Sequence, residues 1–535
     1  MECLLSAFFN ADTAKKAGCG EGPGSRDPVI TGLGYDSRRV KPGNLYFALR
    51  GLHTDGHRYI EQAVARGAAA VIYEDPAVKQ DPRAVYLRVK DSRFAMSPVA
   101  ASFYGWPSRR MACIGVTGTE GKSTTVYLIW QFLRLMGKRA GFFSTVLSST
   151  GGNAEPNKEH QTTPEAPEVQ RLLWEMAEGG AEYAVIEASS HGLSPKTNRL
   201  GDVEFSAAVM TNVTHEHLEF HGTWEQYRDD KTNLFRALRR QGALAPFGVI
   251  NADDPSGPHF TAAGNARILK FSTRGLTADL SLGSIKPGIE GNWYNVLISR
   301  TGEIIDIRDR LPGAFNAGNV LAAMLVVSEL LGIPAGDLAP LAAHLRPLKG
   351  RMTRVPNILG IDLLVDYAHT PSSFQTVLPP LRERLDRAAK TPAGTRGDKG
   401  RLICVFGSAG ERDTQKRPLQ GKIAATYADI LILCDEDPRG EDSVIILEEI
   451  ASGCQKANPN LQRGQDLFLI PDRPGAIRQA LALADKGDTV LLLGKGHENS
   501  IIYADGPHPY DEIGEAENAV WELQEKRAGT FKNWI

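Results

Sequence analysis

The chain has no apolar run approaching the ~18 residues of a membrane-spanning helix. Leu4 to Phe9 is apolar but short, and Glu2 rather than a basic segment precedes it, so it does not read as a secretory signal. Neither charge is in surplus, with 61 Lys and Arg against 63 Asp and Glu, so no global field draws nucleic acid or an anionic membrane. The six cysteines form no CxxC pair and no disulfide framework. Cys113, Cys404 and Cys434 lie in strand-like apolar runs, which predicts buried, reduced thiols. The expectation is a soluble cytoplasmic protein whose anionic ligands are met by local sites.

At 535 residues the length suggests about three or four domains. The centre of the chain is Ile114-Gly115-Val116-Thr117-Gly118-Thr119-Glu120-Gly121-Lys122-Ser123-Thr124-Thr125. Ala112 to Val116 reads as a buried strand, and Val126 to Met136 as a helix stopped by Gly137. A glycine-rich turn between strand and helix cradles phosphate, because backbone N–H groups can approach the anion and the helix dipole adds to them. Lys122 would meet the outer phosphates and Ser123 would offer a hydroxyl to Mg²⁺. A strict P-loop has glycine where Val116 stands, so an ordinary strand-to-helix turn stays open on these residues alone.

The first ~110 residues read as a small α/β unit, with strands at Asn44 to Leu49 and Ala68 to Tyr73, a helix at Tyr59 to Gly67, and a linker at Trp106 to Arg110. In the second region, Tyr183 to Ile186 and Ala207 to Met210 are apolar runs that end in polar residues. Ligands gather at such strand ends in a parallel sheet. Val249 to Asp254 repeats the pattern, Leu280 to Ile307 alternates like a β-ribbon, and Asn316 to Leu331 reads as a helix. The third region alternates strands (Leu402 to Phe406, Ile430 to Cys434, Leu467 to Ile470, Thr489 to Leu493) with helices (Leu419 to Tyr427, Ala476 to Asp485), a doubly wound α/β pattern without GxGxxG. Thr391 to Gly400 reads as a surface loop.

Glu187 follows a strand and could hold Mg²⁺ beside phosphates, since hard cations take oxygen ligands; a solvated turn glutamate is the alternative. His215, His217 and His221 lie within seven residues, but no cysteine is near and the spacing fits no zinc pattern, so one histidine serving a magnesium site is the better reading. Lys231 falls on a helix face, where a lysine is ordinarily solvated.

Seven motifs then occur in one order: Thr117 to Ser123, Glu187 to Leu193, His217 to Gly222, Leu311 to Asn316, Gly350-Arg351-Met352, Asp366 to Pro371, and Gly494 to Glu498. Together they resemble the Mur ligases, most closely the tripeptide-forming group, over roughly residues 30 to 520. The resemblance implies three domains. These are an N-terminal α/β uridine-nucleotide domain (1–110), a central P-loop-like ATPase domain (111–345) and a C-terminal Rossmann-like α/β domain for the amino acid (346–535).

It also implies ATP-dependent, Mg²⁺-assisted addition of a diamino acid to the D-glutamate of UDP-MurNAc-L-Ala-D-Glu through an acyl phosphate, in cell-wall precursor synthesis. On that basis Thr117, Gly118, Thr119, Glu120, Gly121, Lys122, Ser123, Asn316, Arg351 and Asp366 would bind ATP. Ser123, Glu187, His217 and a carbamylated Lys231 would serve the metal, with Lys122, Lys231 and His217 as catalytic groups. Ser37 (in Asp36-Ser37-Arg38), Leu52, His53 and Thr54 would meet the uridine nucleotide. Thr162, Thr163, Ser189 and, across a two-residue insertion, Arg199 would lie nearer the muramoyl-peptide.

Arg412, Glu436, Asp437, Pro438, Arg439, Gly494 and Glu498 would form the amino-acid site. There Glu436-Asp437-Pro438-Arg439 replaces the Asp-Asn-Pro-Arg of diaminopimelate enzymes. The arginine could clamp a distal carboxylate, whereas the added acidity suits a bare ammonium, as in lysine or ornithine. Glu120 stands where the family has Asn in the phosphate loop. Glu216 and Glu219 replace aspartates, and Gln161 replaces Asn. No nucleic-acid partner or membrane insertion is expected, and a monomer is favoured. A folylpolyglutamate-synthetase type of ligase and a non-catalytic nucleotide-binding regulator are the alternatives.

Overall fold

The computed structural model describes all residues except 20–25, 52–53, 158–160, 215–217, 243, 289, 389–399 and 533–535. Its contacts divide the chain into two compact units. The first comprises 1–283, 296–305 and 318–341; the second comprises 284–295, 306–317 and 342–535.

The first unit opens with a four-stranded parallel sheet, Gly32–Gly34, Asn44–Phe47, Ala70–Tyr73 and Val85–Arg88, in that spatial order. A parallel sheet is covered on both faces, so its strands are apolar throughout rather than alternating. Leu45, Phe47, Ile72 and Leu87 pack on one side with Phe8 and Phe103, while Tyr46 and Val71 pack on the other with Ile60 and Val64. The apolar patch at Leu4 to Phe9 is part of this core: Leu5–Phe8 is a helical turn, and the Phe8 ring meets Phe103 edge-on at 5.1 Å. The expected linker is not a solvated one. Pro107–Arg109 forms a 3₁₀ turn with Pro107 and Ser108 buried, and the Lys16 ammonium and Arg109 guanidinium each lie 4.3 Å from the Trp106 ring.

The larger sheet of this unit is centred on Ala112–Thr117, flanked in parallel by Tyr183–Glu187 and Ala207–Met210. Ala140–Phe143 lies beyond the first neighbour, and Phe247–Asn251 and Arg267–Ser272 lie beyond the second. The strand order therefore reverses direction at Ala112–Thr117, and the carboxyl ends beside that switch are where ligands bind in such sheets. Thr117, Glu187 and Thr211 stand at those ends. Gly115 lies mid-strand, where an added Cβ would fall 2.3 Å from Leu234 Cδ1. Its bare backbone lets the helix Trp224–Arg236 press against the sheet. The ribbon Leu280–Pro287, Asn292–Ile298 and Glu303–Arg308 continues the strand order, its residues divided between the two units.

The second unit is built on a six-stranded sheet in the order Thr353–Val355, Asp362–Asp366, Thr489–Leu493, Leu402–Phe406, Ile430–Leu433, Leu467–Leu469. Only the first pair is antiparallel. Leu364, Phe406 and Leu431 face a layer holding Phe374, Ala424 and Ile450, whereas Val365, Ile403 and Val490 face one holding Ile477 and Ala516. This is the doubly wound arrangement expected of the third region, with Cys404 and Cys434 fully buried. Among the described residues, no helix is long and apolar enough to cross a membrane.

Candidate active site

The phosphate-loop candidate sits at the end of Ala112–Thr117, and the helix that follows runs Lys122–Leu135. Gly118 has φ 150°, and a Cβ there would lie 1.9 Å from Thr211 Oγ1, so only glycine lets the loop close on the neighbouring strand end. Asn212 then fixes the loop. Its carbonyl accepts from Thr119 N–H (2.8 Å), its Oδ1 accepts from Glu120 N–H (2.9 Å), and its Nδ2 donates to the Glu120 carbonyl (3.1 Å). Lys122 Nζ donates to the Thr119 carbonyl at 2.6 Å, and Ser123 is buried one position on. Thr117 Oγ1 and Thr214 Oγ1 are buried without a hydrogen-bond partner among the described residues.

Lys231 is 1% exposed, contrary to its solvated expectation. Its Nζ donates to the Gly118 carbonyl at 2.6 Å and lies 4.4 Å from the Tyr227 ring centroid. The close approach at Gly115 explains the placement, because the helix carrying Lys231 is held against the strand that leads into the loop. Asp230, beside it, accepts from the His221 ring at 2.8 Å and from Gln226 at 2.8 Å. Burial raises the Asp230 carboxyl, but those bonds and one from Ser194 outweigh it and hold it below the usual range. His221 also meets Ser190 Oγ at 3.1 Å and is buried, which makes it a structural partner rather than a metal ligand. His215 and His217 lie outside the described residues.

Glu187 is 1% exposed, at the end of the strand next to the loop strand. Its two oxygens accept from Thr145 N–H (2.8 Å) and Thr145 Oγ1 (3.1 Å). Thr145 Oγ1 reaches Thr162 at 3.0 Å, and Thr163 Oγ1 donates to the Glu187 carbonyl at 2.9 Å. Ser189 meets Thr163 Oγ1 through both its amide (3.0 Å) and its hydroxyl (2.9 Å). Arg199 donates to the Thr163 carbonyl (2.9 Å) and to Glu165 (2.8 Å), and Arg93 also reaches Glu165 at 3.3 Å. Thr162, Thr163, Glu187, Ser189 and Arg199 are thus one network, the insertion before Arg199 notwithstanding. The Arg93–Glu165 link was not visible in the sequence because its partners are 72 residues apart.

The first sheet carries the remaining candidates of this unit. Ser37 is buried and donates to Gln62 at 2.8 Å, beside Asp36, which binds Arg38 at 2.9 Å. Thr54 is exposed, with its carbonyl accepting from Gly51 N–H at 2.9 Å. Leu52 and His53 lie outside the described residues.

In the second unit, Asp366 ends its strand and accepts from the amides of Met352 (2.7 Å) and Ala368 (2.8 Å). Burial raises its carboxyl pKa despite those bonds and the charge of Arg351. Arg351 stacks 4.7 Å from the Tyr367 ring. Asn316 opens the helix Asn316–Leu331, and its Nδ2 donates to the Pro312 carbonyl at 2.7 Å.

Around the expected amino-acid site, Lys495 is 1% exposed between Asp437 (2.8 Å) and Glu498 (2.6 Å). Burial alone would lower the Lys495 pKa, but these two carboxylates outweigh it and raise it. Asp437 accepts also from Ile502 N–H at 2.9 Å. Glu436 is buried, and its Oε2 has no hydrogen-bond partner among the described residues; a Cβ on Gly494 would lie 2.9 Å from that oxygen. Arg439 adopts φ 54°, donates its backbone N–H to the Ile502 carbonyl (2.9 Å), and has a buried Nε without a partner among the described residues. It lines an open cleft of about 630 Å³ with Pro438, Glu441, Tyr503, Asp505 and His508. Gly410 N–H donates to the Asp437 carbonyl at 2.8 Å, tying in the loop that bears Arg412, which is exposed.

Domain matches run in the same order along the chain. Residues 29–104 match the Mur ligase family catalytic domain, 116–327 the Mur ligase middle domain, and 350–496 the Mur ligase glutamate ligase domain. The UDP-N-acetylmuramyl-tripeptide synthetase of Treponema denticola is 47% identical, covering 91% of this chain and 93% of its own. The chain belongs to the Mur ligase family. The enzyme of the same name from Treponema pallidum is 46% identical over 90% of this chain and 92% of its own. Among solved structures, a UDP-N-acetylmuramoyl-L-alanyl-D-glutamate–2,6-diaminopimelate ligase superposes with a TM-score of 0.59 at 28% identity, covering 92% of this chain and 95% of that one. Mur ligases share a three-domain α/β architecture, and the sheets described above fit it.

Proposed function

We propose that this Mur ligase adds a diamino acid to the D-glutamate of UDP-MurNAc-L-Ala-D-Glu at the expense of ATP. What carries the reading is the convergence of a glycine-closed phosphate loop, a buried carboxylate (Glu187) and a buried lysine (Lys231) at one sheet edge. A carboxylate is a poor electrophile. In the proposed reaction its oxygen takes the γ-phosphoryl group and ADP leaves; the amine then attacks the acyl carbon, loses a proton and expels phosphate. Such transfers are catalysed mainly by positioning and charge neutralisation.

The loop 117–123, at the N-terminus of its helix, and Lys122 would hold the phosphates. Ser123, Glu187 and His217 offer hard or neutral donors that suit Mg²⁺, whose charge would offset that of the phosphates. Lys231 would act as its carbamate, because an ammonium beside a metal repels it whereas an anion attracts it. Asn316, Arg351 and Asp366 would contact ATP. Ser37, Leu52, His53 and Thr54 would take the uridine nucleotide, and Thr162, Thr163, Ser189 and Arg199 the muramoyl-peptide. A cytoplasmic monomer remains the expected state.

At the amino-acid site the incoming molecule has two groups to satisfy, the Glu436 oxygen and the Arg439 Nε. meso-Diaminopimelate offers a distal ammonium and a distal carboxylate for both, whereas lysine and ornithine, with no carboxylate at the distal end, bring only the distal ammonium to Glu436. Phosphate release with UDP-MurNAc-L-Ala-D-Glu, ATP and Mg²⁺, offering the three amino acids separately, names the substrate. Silence with all three while ATP still binds would overturn the proposal and favour the regulatory reading.

A further inference from the structure

Two arginines, Arg417 and Arg473, are among the largest fully buried side chains of the protein, and Arg473 is 0% exposed. Arg473 begins the helix Arg473–Leu483, and its partner Glu512, also 0% exposed, begins the helix Glu512–Lys532. The guanidinium spends every donor it has. Nε donates to Glu512 Oε2 (2.8 Å) and Nη2 to Glu512 Oε1 (2.6 Å), the bidentate fork. The second Nη2 donor goes to the Leu493 carbonyl (2.7 Å), and Nη1 reaches the Asp435 carbonyl (3.0 Å) and Cys434 Sγ (3.4 Å). Tyr510 OH completes Glu512 at 2.5 Å.

Burying an ion pair costs desolvation that its attraction barely returns, and well-packed apolar residues in its place are often as stabilising or more so. Stability alone therefore does not account for it. Its two backbone contacts are informative: the Asp435 carbonyl immediately precedes Glu436, and the Leu493 carbonyl immediately precedes Gly494. Glu436 and Gly494 are the pair in which a single added Cβ would approach the Glu436 carboxylate to 2.9 Å. One rigid planar cation thus sets the separation of two strand ends, and with it the aim of a buried carboxylate whose Oε2 has no hydrogen-bond partner among the described residues. A lysine could not bridge them, since its ammonium is a point charge without the fork geometry.

We infer that Arg473, locked by Glu512, is a positioning residue of the amino-acid site, holding the 435–439 and 494–498 loops at the spacing that presents Glu436 to the incoming amine. This rests on the proposed ligase reading for its kinetic arm only. Two variants test it. Arg473→Lys keeps a charge opposite Glu512 and hence the fold. Arg473→Met would strand Glu512 on its own, so it is combined with Glu512→Gln, which removes both charges. In both, KM for the amino acid should rise roughly tenfold to a hundredfold, with KM for ATP and for the UDP-linked substrate within about twofold of the original.

Amide exchange should quicken at 436–439 and 494–498 while strand 402–406 keeps its protection. An unchanged amino-acid KM, or a parallel rise in all three KM values, would overturn the inference and leave a merely structural pair. If the unaltered enzyme releases phosphate with no amino acid, the ligase reading fails. The exchange arm still decides the clamp: unchanged loop exchange in both folded variants would reject it.

Discussion

Two buried lysines, one in each unit, have opposite surroundings. Lys495 lies between two carboxylates, which keep it an ammonium and make it a tie between the 437 and 498 loops. Lys231 donates to the carbonyl of a phosphate-loop glycine and lies over an aromatic ring, on a helix brought close by Gly115. Equal burial therefore says little about role; the neighbours decide it. A lysine held by carboxylates is fixed in charge, whereas one held against a backbone carbonyl of the candidate phosphate loop is placed where the proposed change of charge would be useful chemistry.

The first way to sharpen this contrast is to remove Lys122, the other lysine of the candidate loop, which donates to the Thr119 carbonyl. Lys122→Ala should lower phosphate release on the order of 10³-fold or more, the scale seen when a cation is lost from a phosphoryl-transfer site. Turnover near the original rate would cancel its assigned role. Next, Lys231→Ala should cost on the order of 10²–10³ in kcat, with the fold retained and part of the activity restored by short carboxylic acids. A fully active alanine variant would show that no carbamate is needed.

Lys495→Met should show the reverse signature. It leaves the buried Asp437 and the half-buried Glu498 without their cation, a change that costs up to about 3–5 kcal/mol in fully buried pairs. Loss of thermal stability should come before any specific kinetic defect; an unaltered melting temperature would erase the distinction between the two lysines.

How far this was legible in the sequence follows the same physics. Ala207–Met210, Leu402–Phe406, Thr489–Leu493 and the helix Asn316–Leu331 have the expected bounds, because apolar runs buried on both sides leave an unbroken local signal. The helix Pro371–Ala388 was not read, since Pro379 and Pro380 lie inside it and proline ordinarily ends a helix. The strand, glycine turn and helix around 112–135 were legible because their parts are contiguous. The burial of Lys231 was not: it depends on Gly115, over a hundred residues away. Arg473 was invisible for a like reason, as a charge reads as surface until its partner 39 residues on is placed beside it.

A smaller effect tests the proposed amino-acid site of the second unit. Arg439→Ala should raise KM for a carboxylate-bearing diamino acid roughly tenfold and leave KM for ATP alone. If lysine or ornithine is the substrate, the same change should leave KM for the amino acid nearly unaltered. An equal loss toward all substrates would remove Arg439 from amino-acid recognition.

The smallest effect separates the fixed charge of Lys495 from the titration of its neighbour. Burial, helped by the positive charges of Arg351 and Lys495, lowers the His497 pKa from 6.5 to about 3. The unfolded chain therefore takes up this proton as pH falls through 6.5, while the folded chain declines it until about 3. In that window the unfolded state binds more protons, so stability is lost with acidification. Asp366 and Glu498 work in the opposite sense, because burial raises their pKa and the folded state gains protons earlier than the unfolded one. The net slope of the whole chain is thus a difference between opposing groups, and only a paired measurement isolates the histidine. His497→Gln should flatten the fall in urea midpoint between neutral pH and the window's lower half, relative to the unaltered protein. Identical slopes would mean that His497 takes up its proton at the same pH folded and unfolded, and that burial, Lys495 and Arg351 do not bear on it. A flatter slope would place a proton-refusing ring beside a permanently charged lysine, in the motif that also carries Gly494 and Glu498.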